Sequence, residues 1–262
     1  MVSIKSQSEI QNIKTASQVV ALIHKELAKI IKVGITGKML DKVAAQIIKE
    51  NNAVPSFLNY HGFPATICVS VNEQLIHGIP NDKPFKMNDI VKIDAGAAIN
   101  GYHADSAFTM CVGGKPTPEQ LKLINVTKES LNKAIAIIAP GVRIGDISNT
   151  IQTYVESEGF YLPTSYTGHG IGKKLHEDPA IPNVGKPNTG IKLQSGMTIC
   201  IEPMVQTTTD KILVLSDKWT VIAADKQQTA HFEHTILVTN DGCEVLTILN
   251  ENQKIMRNVI NG

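Results

Sequence analysis

The sequence predicts an α+β fold in which helices cover a mainly antiparallel sheet. In each half of the chain, two segments carry apolar residues at helical spacing, and strand patterns follow them. The dipeptide Asn100-Gly101 also stands between two strand patterns, which is a strong signal for a β-hairpin. Because no low-complexity linker divides residues 1–262, we expect a single domain.

The first half is predicted to contain two helices and a strand before the hairpin. Isoleucine, leucine and valine recur at helical spacing from Ile10 to Ile30, and Gly34 follows as a helix terminator. Thr36 is a suitable N-cap for the second helix. Proline and glycine at 55–64 indicate a loop, and residues 67–71 read as a strand.

The second half repeats this order. Thr117-Pro118-Glu119-Gln120 combines an N-cap, a proline at the first helical position and a capping-box glutamine. This helix is predicted to stop at Pro140-Gly141, and a shorter one precedes Gly159. Strands are then predicted over 197–202, 219–224, 229–239 and 243–249. The shared order of the two halves indicates a weak internal duplication.

The hairpin carries two aspartates whose relative position can be calculated. If Asn100 and Gly101 are the turn residues, Asp94 lies opposite Ala107, and Asp105 lies on the same sheet face as Asp94. The two residues are then diagonal neighbours, roughly 7–8 Å apart at the backbone. The hairpin alone leaves three interpretations open: a solvated acidic face, a shared proton, or a bound cation.

Three further ligand-type residues follow along the chain. His169 lies in a glycine-rich segment, 168–172, which we interpret as a loop and which lacks the spacing of nucleotide-binding motifs. Glu202 ends an apolar strand before a proline, and Glu233 lies in another strand-like run. Taken singly, each glutamate is more simply a structural ion pair. Together with the two aspartates, these residues form an oxygen-rich set suited to Mn, Fe(II), Co(II) or Zn, and four carboxylates can neutralise two divalent ions.

The composition excludes several classes of protein. Hydrophobic residues make up 42% and charged residues 19% of the chain, and the net charge is +1, so neither membrane nor nucleic acid is expected as a dedicated partner. The N-terminal residues lack the apolar core of a secretory signal. Four widely spaced cysteines without a CxxC pair argue against a zinc ribbon or a disulfide scaffold. We therefore expect a cytoplasmic protein.

The ordered set of five ligand-type residues resembles the metal ligands of the methionine aminopeptidases. The resemblance covers nearly the whole chain and includes 60–64, 72–80 and the C-terminal run 235–249. It implies the pita-bread fold, in which helices cover an antiparallel sheet in two pseudo-two-fold halves. The short spacings between His169, Glu202 and Glu233 leave no room for the insertion of type II enzymes. The chain therefore resembles a type I, bacterial-type member without an N-terminal zinc-binding extension.

The resemblance implies two divalent metal ions per chain, with cobalt, manganese, iron or zinc as candidates. Asp94 would bind one ion, His169 and Glu202 the other, and Asp105 and Glu233 would bridge both. It also implies hydrolysis of the N-terminal methionine from nascent proteins with a small second residue, by a metal-bridged hydroxide.

Further residues receive roles from the same resemblance. Glu202 would act as the base for the water, His77 would contact the scissile amide, and His176 would stabilise the oxyanion. The methionine pocket would involve Tyr60, Phe63, Cys68 and Trp219. Phe57 stands where many relatives have cysteine, and Leu175 where an aromatic residue is common, so the shape of this pocket is expected to differ.

The expected partners are nascent polypeptide N-termini and, transiently, the ribosome, and the expected state is a monomer. The nearest alternative is an aminopeptidase P or prolidase of the same fold, which usually carries an additional N-terminal domain. The alternative from another class is a non-catalytic binding protein on this fold. Such relatives lose metal ligands, whereas this chain keeps all five.

Overall fold

The computed structural model describes residues 2–250, and its helices confirm the four helical segments predicted from the sequence. Ser6 and Glu9 form a capping box at the start of the first helix, and Thr117 and Gln120 form the predicted one at the third. The first helix ends earlier than predicted, four residues before Gly34. The helices are α1 (Gln7–Ile30), α2 (Gly37–Glu50), α3 (Pro118–Ala136) and α4 (Ile144–Ser157).

The strands of the described part are antiparallel to their neighbours and form four sheets: a four-stranded N-terminal sheet, a five-stranded C-terminal sheet and two smaller sheets of three and two strands. In chain order they are β1 (Val54–Pro55), β2 (Ile67–Val71), β3 (Gln74–Ile76), β4 (Ile90–Ile99), β5 (Tyr102–Cys111), β6 (Thr167–Gly170), β7 (Glu177–Pro182), β8 (Thr198–Ile201), β9 (Met204–Gln206), β10 (Ile212–Val214), β11 (Val221–Ala223), β12 (Thr229–His231), β13 (His234–Val238) and β14 (Cys243–Val245).

The N-terminal sheet has the order β1-β4-β2, and β5 pairs with β4 in the predicted hairpin. Ile99 pairs with Tyr102 and Asp94 with Ala107, as the two-residue turn requires. Asn100 and Gly101 have φ values of 51° and 78°, the left-handed conformations of a type I′ turn. The register that puts both aspartates on one face is therefore confirmed.

Each of the two larger sheets has its own pair of helices and its own apolar core. Side chains of α1 and α2 pack on the hairpin side, and those of α3 and α4 pack on the C-terminal sheet, whose order is β14-β13-β8-β6-β7. This arrangement confirms the predicted α+β class. Within residues 2–250, no helix is both long and apolar enough to cross a membrane.

Two local predictions were wrong. The glycine-rich segment around His169 is not a loop but β6, which lies between β7 and β8. A Cβ on Gly170 would lie 2.2 Å from the Asp178 carbonyl oxygen, so this glycine permits close approach of two strands rather than a ligand-binding turn. The predicted strand 229–239 is also divided into β12 and β13, and Glu233 lies in the break.

Candidate metal centre

The first part of the centre lies where the β4–β5 hairpin meets the break between β12 and β13. Asp94, Asp105 and Glu233 each bring a carboxylate oxygen within 4.8 Å of the others. Backbone contacts hold the break in place, because the Glu233 N–H donates to the Ala107 carbonyl at 2.9 Å and the Ser106 hydroxyl donates to the Glu233 carbonyl at 2.6 Å. Residues from both halves of the chain thus build one cluster.

His169 and Glu202 complete the set from the C-terminal sheet. The His169 Nε2 atom lies 3.8 Å from Glu202 Oε1 and 4.0 Å from Asp105 Oδ2. Its Nδ1–H donates to the Gly170 carbonyl at 2.9 Å, so Nε2 keeps a free lone pair for a ligand. Burial lowers the pKa of His169 to about 3 and keeps the ring neutral.

The four carboxylates, of which Asp105 and Glu233 are buried and Asp94 and Glu202 partly buried, form no ion pair with a lysine or arginine within residues 2–250. Burial first, and then repulsion from Glu233 and Asp94, raises the pKa of Asp105 well above its usual value. Burial is also the main cause of the raised pKa values of Asp94, Glu202 and Glu233. Such a cluster is strongly unfavourable when ionised unless cations occupy it.

The unpaired atoms of this cluster fit divalent cations. Among residues 2–250, one oxygen each of Asp94, Asp105 and Glu233 is buried without a hydrogen-bond partner. These orphaned oxygens and the free His169 nitrogen are the donors that Mn, Fe(II), Co(II) and Zn accept. The residues present therefore suit a metal centre.

His231 also lies in these surroundings, and it is one of the histidines for which the sequence left a supporting role and a surface role open. The ring is 2% exposed, and its Nε2 lies 3.4 Å from Glu202 Oε2. Thr109 fixes the backbone here, since its hydroxyl donates to the His231 carbonyl at 2.6 Å and accepts from the His231 N–H at 2.9 Å. Its position two residues before Glu233 is the feature of the sequence from which a place near the metal ligands could have been predicted.

A cavity of about 270 Å³ opens beside the carboxylates. All four residues predicted for a methionine pocket line it, and Phe63 and Trp219 are in edge-to-face contact with ring centroids 5.1 Å apart. Phe57 and Leu175 also line it. Ile76, Tyr166 and Thr167 are lining residues that the sequence analysis missed. The cavity thus combines an apolar wall with the ligand cluster.

The two histidines predicted to assist the reaction also line the cavity. The His77 ring contacts those of Tyr166 and Trp219, with centroids 5.6 and 6.4 Å away. Burial lowers the pKa of His77 to about 4. The His176 ring stands perpendicular to that of His169, with centroids 4.3 Å apart. The fold therefore brings every predicted site residue to one place.

Comparison with known proteins agrees with this geometry. Residues 11–240 match the model of metallopeptidase family M24. A methionine aminopeptidase of Mycoplasma capricolum is 55% identical over 94% of this chain and 98% of its own length. The crystal structure of the methionine aminopeptidase from Thermotoga maritima superposes with a TM-score of 0.93, at 45% identity, over 94% of this chain and 99% of that one.

A more distant comparison concerns the fold alone. The prolidase of Pyrococcus furiosus matches with a TM-score of 0.77 and 24% identity. The alignment covers 95% of this chain but 66% of the prolidase. The shared part is thus the fold common to the two proteins, and the prolidase contains additional chain.

Proposed function

Because this chain belongs to metallopeptidase family M24 and, within it, to the methionine aminopeptidases, we propose that it removes the N-terminal methionine from polypeptides whose second residue is small. One observation carries the proposal. Five ligand-type side chains converge in a buried cluster with orphaned oxygens, directly beside an apolar cavity of about 270 Å³. Metal-assisted hydrolysis needs such a cluster, and binding of a methionine side chain needs such a cavity.

The proposed cofactors are two divalent cations. Asp94 would hold one, His169 and Glu202 the other, and Asp105 and Glu233 both. When bound, such a pair lowers the pKa of water and polarises a carbonyl oxygen. Cobalt, manganese, iron and zinc all suit a donor set rich in oxygen with one assigned nitrogen.

The residues of the chain have separate tasks in this proposal. The Glu202 carboxylate accepts the proton of the attacking water. His77 donates to the leaving amide nitrogen, and His176 donates to the carbonyl oxygen as it gains negative charge. A preorganised donor of this kind is worth about 3 kcal/mol in the transition state.

The substrate's first side chain is proposed to enter the apolar part of the cavity. The Phe63 and Trp219 rings offer the aromatic contacts that a thioether favours. The Cys68 thiol lies in the same wall, and burial, followed by the charge of Asp94, raises its pKa well above the usual value. It therefore remains a neutral contact rather than a thiolate.

Peptide hydrolysis tests the proposal directly. We expect cleavage of Met-Ala-Ser, much slower cleavage of Met-Lys-Ser, and none of Gly-Pro, the peptide that an X-Pro peptidase would prefer. A chelator should abolish activity, added divalent metal should restore it, and Glu202→Gln should remain inactive. Intact Met-Ala-Ser in the presence of each candidate metal would refute the proposal.

The proposal also includes the cellular location, the oligomeric state and the association with the ribosome. The substrates would be nascent chains in the cytoplasm, met by a monomeric single-domain enzyme that associates transiently with the ribosome. Sedimentation velocity tests whether the protein is a monomer. Co-sedimentation with ribosomes carrying a stalled chain tests whether it associates with the ribosome. A stable dimer would contradict the first, and absence from the ribosomal pellet the second.

A further inference from the structure

The Tyr60 hydroxyl is hydrogen bonded to His176 at the edge of the cavity. The Tyr60 Oη and His176 Nδ1 atoms are 2.8 Å apart, and the two rings are 5.2 Å apart at an angle of 65°. The residues come from separate parts of the chain, since Tyr60 precedes β2 and His176 precedes β7. The bond therefore joins a short 3₁₀ turn at Tyr60–Gly62 to the segment before β7, and both residues line the cavity.

The backbone around Tyr60 is held in an unusual conformation. Asn59 and His61, on either side of it, have φ values of 65° and 49°, in the left-handed region that costs free energy for residues other than glycine. Local hydrogen bonds oppose this cost, because the Tyr60 N–H donates to the Phe57 carbonyl at 2.9 Å and the Asn59 N–H donates to the Phe63 carbonyl at 2.8 Å. The Tyr60 hydroxyl is thus presented from a fixed turn.

The direction of the hydrogen bond follows from the chemistry of the two groups. A neutral imidazole carries one proton, so one ring nitrogen donates while the other accepts. Among residues 2–250, the Tyr60 hydroxyl has His176 Nδ1 as its hydrogen-bond partner and no other. A phenol O–H is a stronger donor than a neutral imidazole N–H, and an unprotonated imidazole nitrogen is a stronger acceptor than a phenol oxygen, so donation from Tyr60 to Nδ1 is the favoured direction. This direction leaves the imidazole proton on Nε2.

We propose that Tyr60 is a positioning residue, which holds His176 in the tautomer with its proton on Nε2. The inference rests on the proposed function, in which a His176 N–H donates to the developing oxyanion. In the opposite tautomer, Nε2 would be an acceptor and would repel negative charge. Tyr60, which is assigned to the methionine pocket, would thereby also determine which nitrogen of His176 carries the proton.

The variant Tyr60→Phe separates the two roles, because it keeps the ring in the cavity and removes only the hydroxyl. We expect kcat for Met-Ala-Ser to fall roughly tenfold, the effect of losing the partner that orients a functional histidine. The KM should change by less than about twofold, since the apolar contacts with the substrate remain.

Nitrogen NMR observes the tautomer without relying on activity. In metal-free protein labelled with ¹⁵N-histidine and assigned by comparison with His176→Gln, we expect the wild-type ring to be protonated on Nε2. In Tyr60→Phe, we expect a mixture of the two tautomers. The matched control is Tyr102→Phe, which removes a hydroxyl hydrogen bond of the same length, 2.8 Å to Glu9, outside the cavity. It should leave both the tautomer and kcat unchanged.

The outcomes distinguish this inference from the proposed function. A wild-type His176 protonated on Nδ1, or a Tyr60→Phe variant with wild-type kcat, would overturn the positioning role. Failure of the wild-type enzyme to cleave Met-Ala-Ser would instead refute the proposed function. In that case the tautomer measurement would still report whether Tyr60 fixes the ring.

Discussion

The Asp94 and Asp105 carboxylates lie on one face of the β4–β5 hairpin, where Asp94 pairs with Ala107 and Asp105 pairs with Gly96. This geometry brings two negative charges together in a part of the protein from which solvent is largely excluded. Asp105 is 4% exposed and Glu233, its neighbour from the other half, is 2% exposed. The metal-free protein must therefore either protonate these groups or tolerate their repulsion.

Replacing Asp105 with asparagine should stabilise the metal-free protein at high pH. The pKa of Asp105 is raised in the folded state, so the folded protein binds more protons than the unfolded chain above pH 3.8, the ordinary value. The free energy of unfolding therefore falls as pH rises through the folded pKa. With a chelator present, Asp105→Asn should melt above wild type at pH 8, with a smaller difference or none near pH 4. Equal differences at both pH values would contradict this assignment.

His231 should support the metal centre through Glu202. Its Nε2 lies 3.4 Å from Glu202 Oε2, so His231→Ala leaves that carboxylate oxygen without its neighbour. We expect metal affinity to fall about tenfold, as is typical when a group behind a ligand is lost. Titration calorimetry with Mn(II) measures this change.

The matched control for this prediction is His234→Ala. The His234 ring is bonded through Nδ1 to the Thr247 hydroxyl and does not line the cavity. Metal affinity in this variant should equal that of wild type. A tenfold loss in both variants would show that a general loosening of the C-terminal sheet, rather than the contact with Glu202, is responsible.

The hairpin was predictable to the residue because its signal is local. Asn100-Gly101 selects one turn type, and the turn then determines every pair from Ile99–Tyr102 to Asp94–Ala107. The predicted helix start at Thr117 was similarly encoded within four residues by its capping box, and the capping box at Ser6, which was not predicted, is an equally local feature. Such features depend on short stretches of sequence and need no knowledge of the rest of the fold.

The errors arose where distant segments decide the conformation. Gly168 and Gly170 resemble a loop, but their function is to admit the Cys200 and Asp178 carbonyls of adjacent strands, which local sequence does not reveal. The break at Glu233 is likewise held by Ala107, far away along the chain. The relation of His231 to Glu202 also depends on tertiary contacts, so the sequence alone could not decide between a supporting role and a surface position for this histidine.

Lys92 should be essential for stability, although it is not a ligand. Its amino group is fully buried, which lowers its pKa to about 7, and Nζ lies within hydrogen-bonding distance of the Asn72 carbonyl at 2.7 Å, the Thr229 carbonyl at 3.2 Å and the Thr229 hydroxyl at 3.1 Å. Lys92→Met keeps most of the volume but removes these buried hydrogen bonds. The Asn72 carbonyl still accepts from the Thr229 N–H at 3.2 Å, so the main loss is the donor to the Thr229 carbonyl, and an unpaired buried acceptor costs about 1–3 kcal/mol. Urea denaturation of the metal-free protein should show a loss of roughly 2 kcal/mol or more.

The control for this stability measurement is the exposed lysine Lys42 on α2. Lys42→Met should change the free energy of unfolding by less than about 0.5 kcal/mol, as surface substitutions usually do. Similar losses in the two variants would mean that the contacts of Lys92 with Asn72 and Thr229 contribute little.

Phe57 should limit the size of the side chain that the cavity accepts. It lines the wall, is 7% exposed, and packs so closely on β4 that a Cβ on Gly96 would lie 2.7 Å from its ring. Phe57→Ala removes a wall of the cavity and should lower kcat/KM for Met-Ala-Ser while raising it for Phe-Ala-Ser. Loss of a buried phenylalanine also destabilises a protein by about 3–5 kcal/mol, so specificity must be separated from stability.

Phe160→Ala provides that separation. Phe160 is also 7% exposed, but it packs in the core beneath α3 and α4, away from the cavity. Its loss should lower the melting temperature to a similar extent while the ratio of kcat/KM for Met-Ala-Ser and Phe-Ala-Ser stays at the wild-type value. A change in that ratio only for Phe57→Ala assigns the limit to the cavity wall. The same change of the ratio in both variants would show that it results from general destabilisation of the fold. Phe57 would then have no specific part in selecting methionine.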